Sequence, residues 1–174
     1  MDNILLTGST GFVGQRLIRA LDANIRIISR VKQPFFETIV CNFEHDTIPK
    51  DALNNINTVF HLAGFAHDSR NAENIKNLYQ RVNIDATLEL AQMAIESGVK
   101  TFIFISSVKA GGSSYQGKCS NEKSLGNPEG IYGKTKREAE LKLLKLSKDS
   151  GMHVSIIRPS LVYGPNAKGN LRLM

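Results

Sequence analysis

The stretch that most constrains the fold is Thr7-Gly8-Ser9-Thr10-Gly11-Phe12-Val13-Gly14, set between an apolar run, Ile4-Leu5-Leu6, and an amphipathic segment over residues 12–21. The apolar run reads as a short buried strand. Phe12, Val13, Leu17, Ile18 and Leu21 fall on one face at the helical period. A strand that turns through glycines into a helix points free backbone N–H groups, and the positive end of the helix, at an anion. Gly8 permits the tight turn, Gly11 lets a pyrophosphate approach the backbone, and Gly14 lets the helix pack closely on the strand. The spacing is G-x-x-G-x-x-G rather than G-x-G-x-x-G, and glycine turns serve packing alone in many α/β proteins. Between a strand and a helix at the start of the chain, the three glycines point to dinucleotide binding.

Further apolar runs at residues 25–29, 38–41, 58–62, 101–105 and 154–158 read as five more strands. The link between strands two and three is too short for a crossover helix and contains Pro34. A brief helix is expected over 48–54, starting near Pro49, and long helices over 71–97 and 131–148, stopped by Gly98 and Gly151. Strand alternating with helix predicts a doubly wound parallel sheet of six strands, with residues 1–174 forming one domain. The polar segment 110–130 lies where a lid or substrate wall would stand.

Of 174 residues, 41% are hydrophobic and 22% charged, enough to bury a core without staples. Cys41 and Cys119 lie far apart without metal spacing, and Cys41 sits in an apolar run as a small core residue. No metal site is expected. No signal sequence or membrane-length apolar run is seen, which implies the cytoplasm and no membrane partner. The net charge of +6 invites a nucleic-acid reading. However, the densest basic cluster, 134–148, is interleaved with Glu138, Glu140 and a leucine stripe, and reads as the wet face of a helix. Basic character also suits an anionic nucleotide. Where nicotinamide-binding folds place a ribose-selecting acid, this chain has Ser29 and Arg30. That leans the cofactor from NAD toward NADP, with a solvated basic loop as the alternative.

Tyr132 and Lys136 stand at i and i+4 on one helix, where an ammonium beside a phenol is expected to lower its pKa. Ser107, at the end of the fifth strand, could hydrogen-bond the same substrate oxygen. The pair alone is common; with Ser107 and the glycine turn at one end of the sheet it specifies a site.

These stretches, with His-Leu-Ala-Gly at 61–64, Val-Asn-Ile-Asp-Ala-Thr at 82–87, Phe-Ile-Ser-Ser at 104–107, Tyr-Gly-Lys-Thr-Lys at 132–136 and Arg-Pro-Ser-Leu-Val-Tyr-Gly-Pro at 158–165, resemble the N-terminal part of an extended short-chain dehydrogenase/reductase. Within that group the likeness is to the NAD(P)-dependent epimerase/dehydratase family. The resemblance implies a Rossmann-type fold. It gives Gly8, Gly11, Phe12, Val13 and Gly14 to the pyrophosphate, Arg30 to ribose selection, and Asn42 and Phe43 to adenine, although the family often has Asp at the place of Asn42. Leu62, Ala63 and Gly64 would line the dinucleotide, Asn83 would brace the active-site strand, and Pro159 and Leu161 would bound the nicotinamide. Ser107, Tyr132 and Lys136 would be the catalytic set, with Lys136 also on the nicotinamide ribose.

Sugar-nucleotide dehydratases of the family carry Asp-Glu after the catalytic Ser/Thr; Val108-Lys109 here argue against that chemistry. The nearer likeness, which includes 106–110 and 164–170, is to UDP-sugar 4-epimerases and NADP-dependent 4-keto-sugar reductases acting on a nucleotide-sugar substrate. A catalytically silent dinucleotide sensor or partner-binding module is the rival from another class. Family members continue for well over a hundred further residues that form much of the sugar-nucleotide pocket, so a fragment, a truncated product or a cofactor half alone are all open. The helices at 71–97 and 131–148 correspond to those through which the family dimerises, which leaves a homodimer open.

Overall fold

The computed structural model describes residues 2–66, 72–112, 121–122 and 126–165. Six parallel strands form one sheet in the order β3-β2-β1-β4-β5-β6. They are β1 (Asn3–Thr7), β2 (Asn24–Ser29), β3 (Glu37–Val40), β4 (Thr58–His61), β5 (Thr101–Ile105) and β6 (His153–Ile157). The order reverses between β1 and β4, and the register there pairs Thr7 with His61 and His61 with Phe104. Three side chains at the carboxyl ends of neighbouring strands thus stand in one row. This is the Rossmann-type, doubly wound arrangement.

Alternation along the strands sorts residues onto two faces. Leu5, Ile28, Val59, Phe102 and Phe104 join one core with Ile48, Ala52 and Leu53 around a 3₁₀ turn (Lys50–Leu53). The same core takes Ala86, Leu90, Ala91 and Ala94 from α3 (Ala86–Glu96), and Ala139 and Leu143 from α5 (Gly130–Ser150). Right-handed crossovers place α1 (Gly14–Ala20) on the opposite face. Its cover is thin. Within α1 only Gly14 is buried, and Val13, at 36% exposure, belongs to the turn rather than to the helix expected from residue 12. On that face Phe60, Ile103 and Ile105 are half-buried and Ile157 is exposed.

The long helix expected over 71–97 is three pieces: α2 (Ala72–Gln80), a π-helical turn (Arg81–Asp85) and α3. Residue 71 lies outside the described residues. The extra residue in the π turn brings Val82, Asn83 and Ile84 all inward, which a regular helix would not do. No helix joins β2 to β3, as their spacing requires. Gly98 and Gly151 end their helices with φ of 74° and 73°, the left-handed conformation that glycine adopts without strain. The short α4 (Val108–Gly111) takes the start of the segment expected as a lid. Most of that segment, with Cys119, lies outside the described residues.

Candidate cofactor and catalytic site

At the carboxyl ends of β1, β2 and β4 lies a cleft of about 450 Å³, at the point where the strand order reverses. Its floor is the glycine turn. Gly8 has φ of 75°, and its carbonyl oxygen accepts from the Gly11 N–H at 3.0 Å. A Cβ on Gly8 would stand 2.7 Å from the Ala63 backbone nitrogen, and one on Gly14 would run into the Gly8 carbonyl. The turn is therefore packed against backbone on its inner side. A Cβ on Gly11 would meet only the Gly8 oxygen, at 3.2 Å. Ser9, one of the cleft-lining residues, is 7% exposed, and its buried Oγ has no hydrogen-bond partner among the described residues. A buried hydroxyl left unpaired costs about 1–3 kcal/mol, so its presence here fits a site that receives a polar ligand. An orphaned hydroxyl beside a turn whose Gly11 carries no side chain fits the pyrophosphate of a dinucleotide.

Of the residues expected at the cofactor, Gly8, Gly11, Arg30, Asn42, Phe43, Leu62, Ala63 and Gly64 line the cleft. Ser9, Thr10, Ile28, Ser29, Cys41, Glu44, Phe65, Ala66 and Val82 join them. Phe43 is 7% exposed within the core, which leaves little ring face open. Asn42 Oδ1 is occupied as acceptor for the Glu44 N–H at 3.1 Å. Cys41 is buried, and burial pushes its thiol up to about 11, so it packs rather than reacts.

Phe12, Val13, Gly14, Asn83, Lys136, Pro159 and Leu161 stand off the cleft. The Arg16 guanidinium lies 3.7 Å over the Phe12 ring and donates to the Phe12 carbonyl oxygen at 2.8 Å and to that of Pro165 at 2.5 Å. This holds the segment after β6 beside the glycine turn. Leu161, in that segment, is 70% exposed. Asn83 is fully buried and grips the loop after β4, accepting from Phe65 N–H at 2.7 Å and donating to Phe65 O at 3.0 Å. It also donates to Thr135 Oγ1 on α5 at 3.2 Å.

Ser107 caps α4, its Oγ accepting from Lys109 N–H at 3.2 Å. Lys136 is 2% exposed; its Nζ donates to Ile105 O at 2.8 Å and sits 4.2 Å from the centre of the Phe104 ring. Desolvation lowers its pKa to about 7 against the raising influence of Glu140. Tyr132 packs edge-on to Tyr79, ring centres 6.4 Å apart. The expectation that Lys136 would lower the Tyr132 pKa is corrected. Burial raises that pKa, with Tyr79 adding to it, while the Lys136 ammonium is engaged by the Ile105 carbonyl.

Glu140 is likewise not on the wet face of α5. At 1% exposure it accepts from Arg158 Nε at 2.9 Å and Nη2 at 2.6 Å, and from Ser106 Oγ at 2.5 Å. Arg137 Nε stands 3.8 Å away. This cluster ties α5 to the ends of β5 and β6, next to Ser107 and one turn beyond Lys136. In the sequence Glu140 stood out only as one of the acids interleaved in the basic segment 134–148. Ser9 carried no sequence signal beyond its place in the turn.

The sequence model of the NAD dependent epimerase/dehydratase family matches residues 4–174. A UDP-glucose 4-epimerase of Vibrio cholerae is 43% identical over 97% of this chain and 54% of its own length. The solved structure of MoeE5 in complex with UDP-glucose and NAD superposes with a TM-score of 0.74 at 28% identity, over 89% of this chain and 52% of that one. A short-chain dehydrogenase/reductase superfamily protein from Agrobacterium tumefaciens with bound NAD gives a TM-score of 0.79 at 27% identity, over 90% and 48%. The chain thus spans about half the length of the relatives it matches. No helix among the described residues is long and apolar enough to cross a membrane, and no cluster of metal-binding side chains is found among them.

Proposed function

Because the chain belongs to the NAD dependent epimerase/dehydratase family, we propose that residues 1–174 form the cofactor-binding domain of a nucleotide-sugar 4-epimerase of the UDP-hexose type. The observation that carries this reading is the cleft itself. The glycine turn that floors it carries a buried, orphaned Ser9 hydroxyl, and at the carboxyl end of β5 in the same sheet stand Ser107, which caps α4, and the Lys136 ammonium, which reaches Ile105 from α5. The epimerase at 43% identity supports the choice of reaction. When bound, the nicotinamide would supply a hydride acceptor and donor at its C4.

In this reading Tyr132 takes the proton of the sugar 4-hydroxyl and later returns it to the 4-keto oxygen. Its raised pKa keeps it a phenol at rest, suited to the return step; deprotonation then relies on positive charge brought close by Lys136 and the occupied cofactor site. Lys136, poised near neutrality, turns from the Ile105 carbonyl toward the cofactor ribose. Ser107 hydrogen-bonds the reacting oxygen. Gly11 and Ser9 hold the pyrophosphate.

A one-way NADP-dependent 4-keto-sugar reductase is the second reading, favoured by one feature: Ser29 and Arg30, not a carboxylate, end β2 at the cleft. The proposal carries a cytoplasmic location and a homodimer joined through α5, whose outer face exposes Leu141 and Leu144. Fluorescence titration with NADH should saturate, whereas UDP-hexose epimerisation by this chain alone should stay near background. Orientation of the substrate accounts for about 7–11 kcal/mol of such barriers, and the relatives are twice as long. Robust turnover abolished by Tyr132→Phe would confirm the catalytic set and refute the need for a further segment. Absence of NADH binding would sink the reading.

A further inference from the structure

His61 is fully buried at the end of β4, and nothing in the chemistry above uses it. Its ring stacks on Phe104, centres 5.8 Å apart and 17° from parallel. Both nitrogens are engaged: Nδ1 with Thr7 Oγ1 at 2.8 Å, and Nε2 with Thr87 Oγ1 at 2.9 Å. The neighbouring bonds fix which nitrogen carries the proton. Thr87 donates its hydroxyl proton to the Asn83 carbonyl at 2.9 Å, so toward His61 it acts as acceptor and Nε2 must donate. Nδ1 then accepts from the Thr7 hydroxyl, whose oxygen accepts from the Ala63 N–H at 3.1 Å. In the opposite tautomer the Thr7 proton would have no acceptor among the described residues, and Thr87 could not donate to both His61 and Asn83. Lys136 is the charged group facing the ring, and it opposes protonation alongside burial.

The bonds run in one direction, from Ala63 through Thr7, His61 and Thr87 to Asn83. Asn83 holds Phe65 on one side and Thr135, next to Lys136, on the other. We propose that His61, locked as its Nε2–H tautomer, is a positioning residue that ties the glycine turn to the π-helical turn and so sets the distance between the dinucleotide cleft and the Tyr132/Lys136 helix. This rests on the functional reading above for its consequence, but not for its geometry.

Long-range proton–nitrogen NMR spectra of the ligand-free chain, from about pH 5 to 9, read the tautomer directly. Expected are a protonated Nε2, a bare Nδ1 and no titration; a protonated Nδ1, or titration in that window, overturns the proposal. His61→Phe keeps the stacked ring and loses both bonds, whereas His61→Gln keeps a donor toward Thr87. In His61→Phe the amide signals of Ala63, Phe65 and Thr135 should move and NAD affinity should fall about tenfold, the order of one buried hydrogen bond. His61→Gln should recover part of both effects, and it carries the comparison against wild type if His61→Phe does not fold. Unmoved amide signals, or undiminished affinity beside a wild type that binds, would refute the positioning role. The tautomer and amide signals need no cofactor. A wild-type chain that binds no dinucleotide would therefore sink the functional reading while they still decide this one.

Discussion

Lys136 should cost this fold stability at neutral pH, and Lys136→Met should recover it. The ammonium is 2% exposed, and desolvation lowers its pKa from 10.5 to about 7. The folded-state value is depressed for a base, so between pH 7 and 10.5 the unfolded chain binds more protons and stability rises with pH. Well below pH 7 the full cost stands, about 5 kcal/mol for the drop from 10.5 to about 7 at 1.36 kcal/mol per pH unit, and about 4 kcal/mol of it is present at pH 7. At pH 9 roughly half of it remains, giving a rise of about 2 kcal/mol from pH 7 to 9. Methionine fills much the same volume without charge but leaves the Ile105 carbonyl short of one donor, at about 1 kcal/mol. Desolvation is the larger of the two. The variant should therefore be more stable by about 3 kcal/mol at pH 7, with the gain shrinking toward pH 9. Urea unfolding of both proteins at pH 6, 7, 8 and 9 measures this, and subtracting the curves removes other titrating groups such as Cys41. Parallel curves, or a variant less stable at pH 7, would show that Lys136 is held as a well-solvated ammonium and refute the argument.

Gly14→Ala would drive a methyl into the Gly8 carbonyl, so the turn must shift; thermal unfolding should show lower stability and titration weaker NAD binding, and a neutral result on both would mean the turn is not packed as described. Glu140→Gln leaves Arg158 and Arg137 facing an uncharged amide inside the protein and should destabilise by about 3 kcal/mol in urea; a loss under 1 kcal/mol would show the cluster to be solvated. Arg30→Ala should weaken NADP binding by about 1.5 kcal/mol, the low end for a charge-assisted hydrogen bond on an exposed side chain, and leave NAD unchanged. Equal losses would make Arg30 a general surface cation.

What the sequence disclosed follows from how locally each feature is encoded. The six strands are continuous apolar runs because parallel strands are covered on both faces near the sheet centre, and the helix stops at Gly98 and Gly151 need only one residue's backbone freedom. The glycine turn was legible for the same reason. The π turn was not, since a single five-residue turn inside a continuous helical run carries no cap or glycine of its own to mark it. Glu140 read as surface because a carboxylate on a lysine-rich helix normally is; its partners Ser106 and Arg158 lie 34 and 18 residues away and meet it only in the folded sheet. The Tyr132 expectation failed on burial, which spacing along a helix does not report. Spacing put Lys136 on its face, but the Ile105 carbonyl claimed the ammonium.

The central claim is that the cleft at the end of β1 holds a nicotinamide dinucleotide against the glycine turn. Calorimetric titration of NAD into the wild-type chain and into Gly11→Val tests it most directly. Gly11 is the turn glycine whose added Cβ meets only the Gly8 oxygen, so the branched side chain should obstruct the pyrophosphate while disturbing the fold less than a change at Gly8 or Gly14. The account predicts saturable binding at one site in the wild type and its loss in a folded variant. Equal binding by both, or no heat from the wild type, would contradict it.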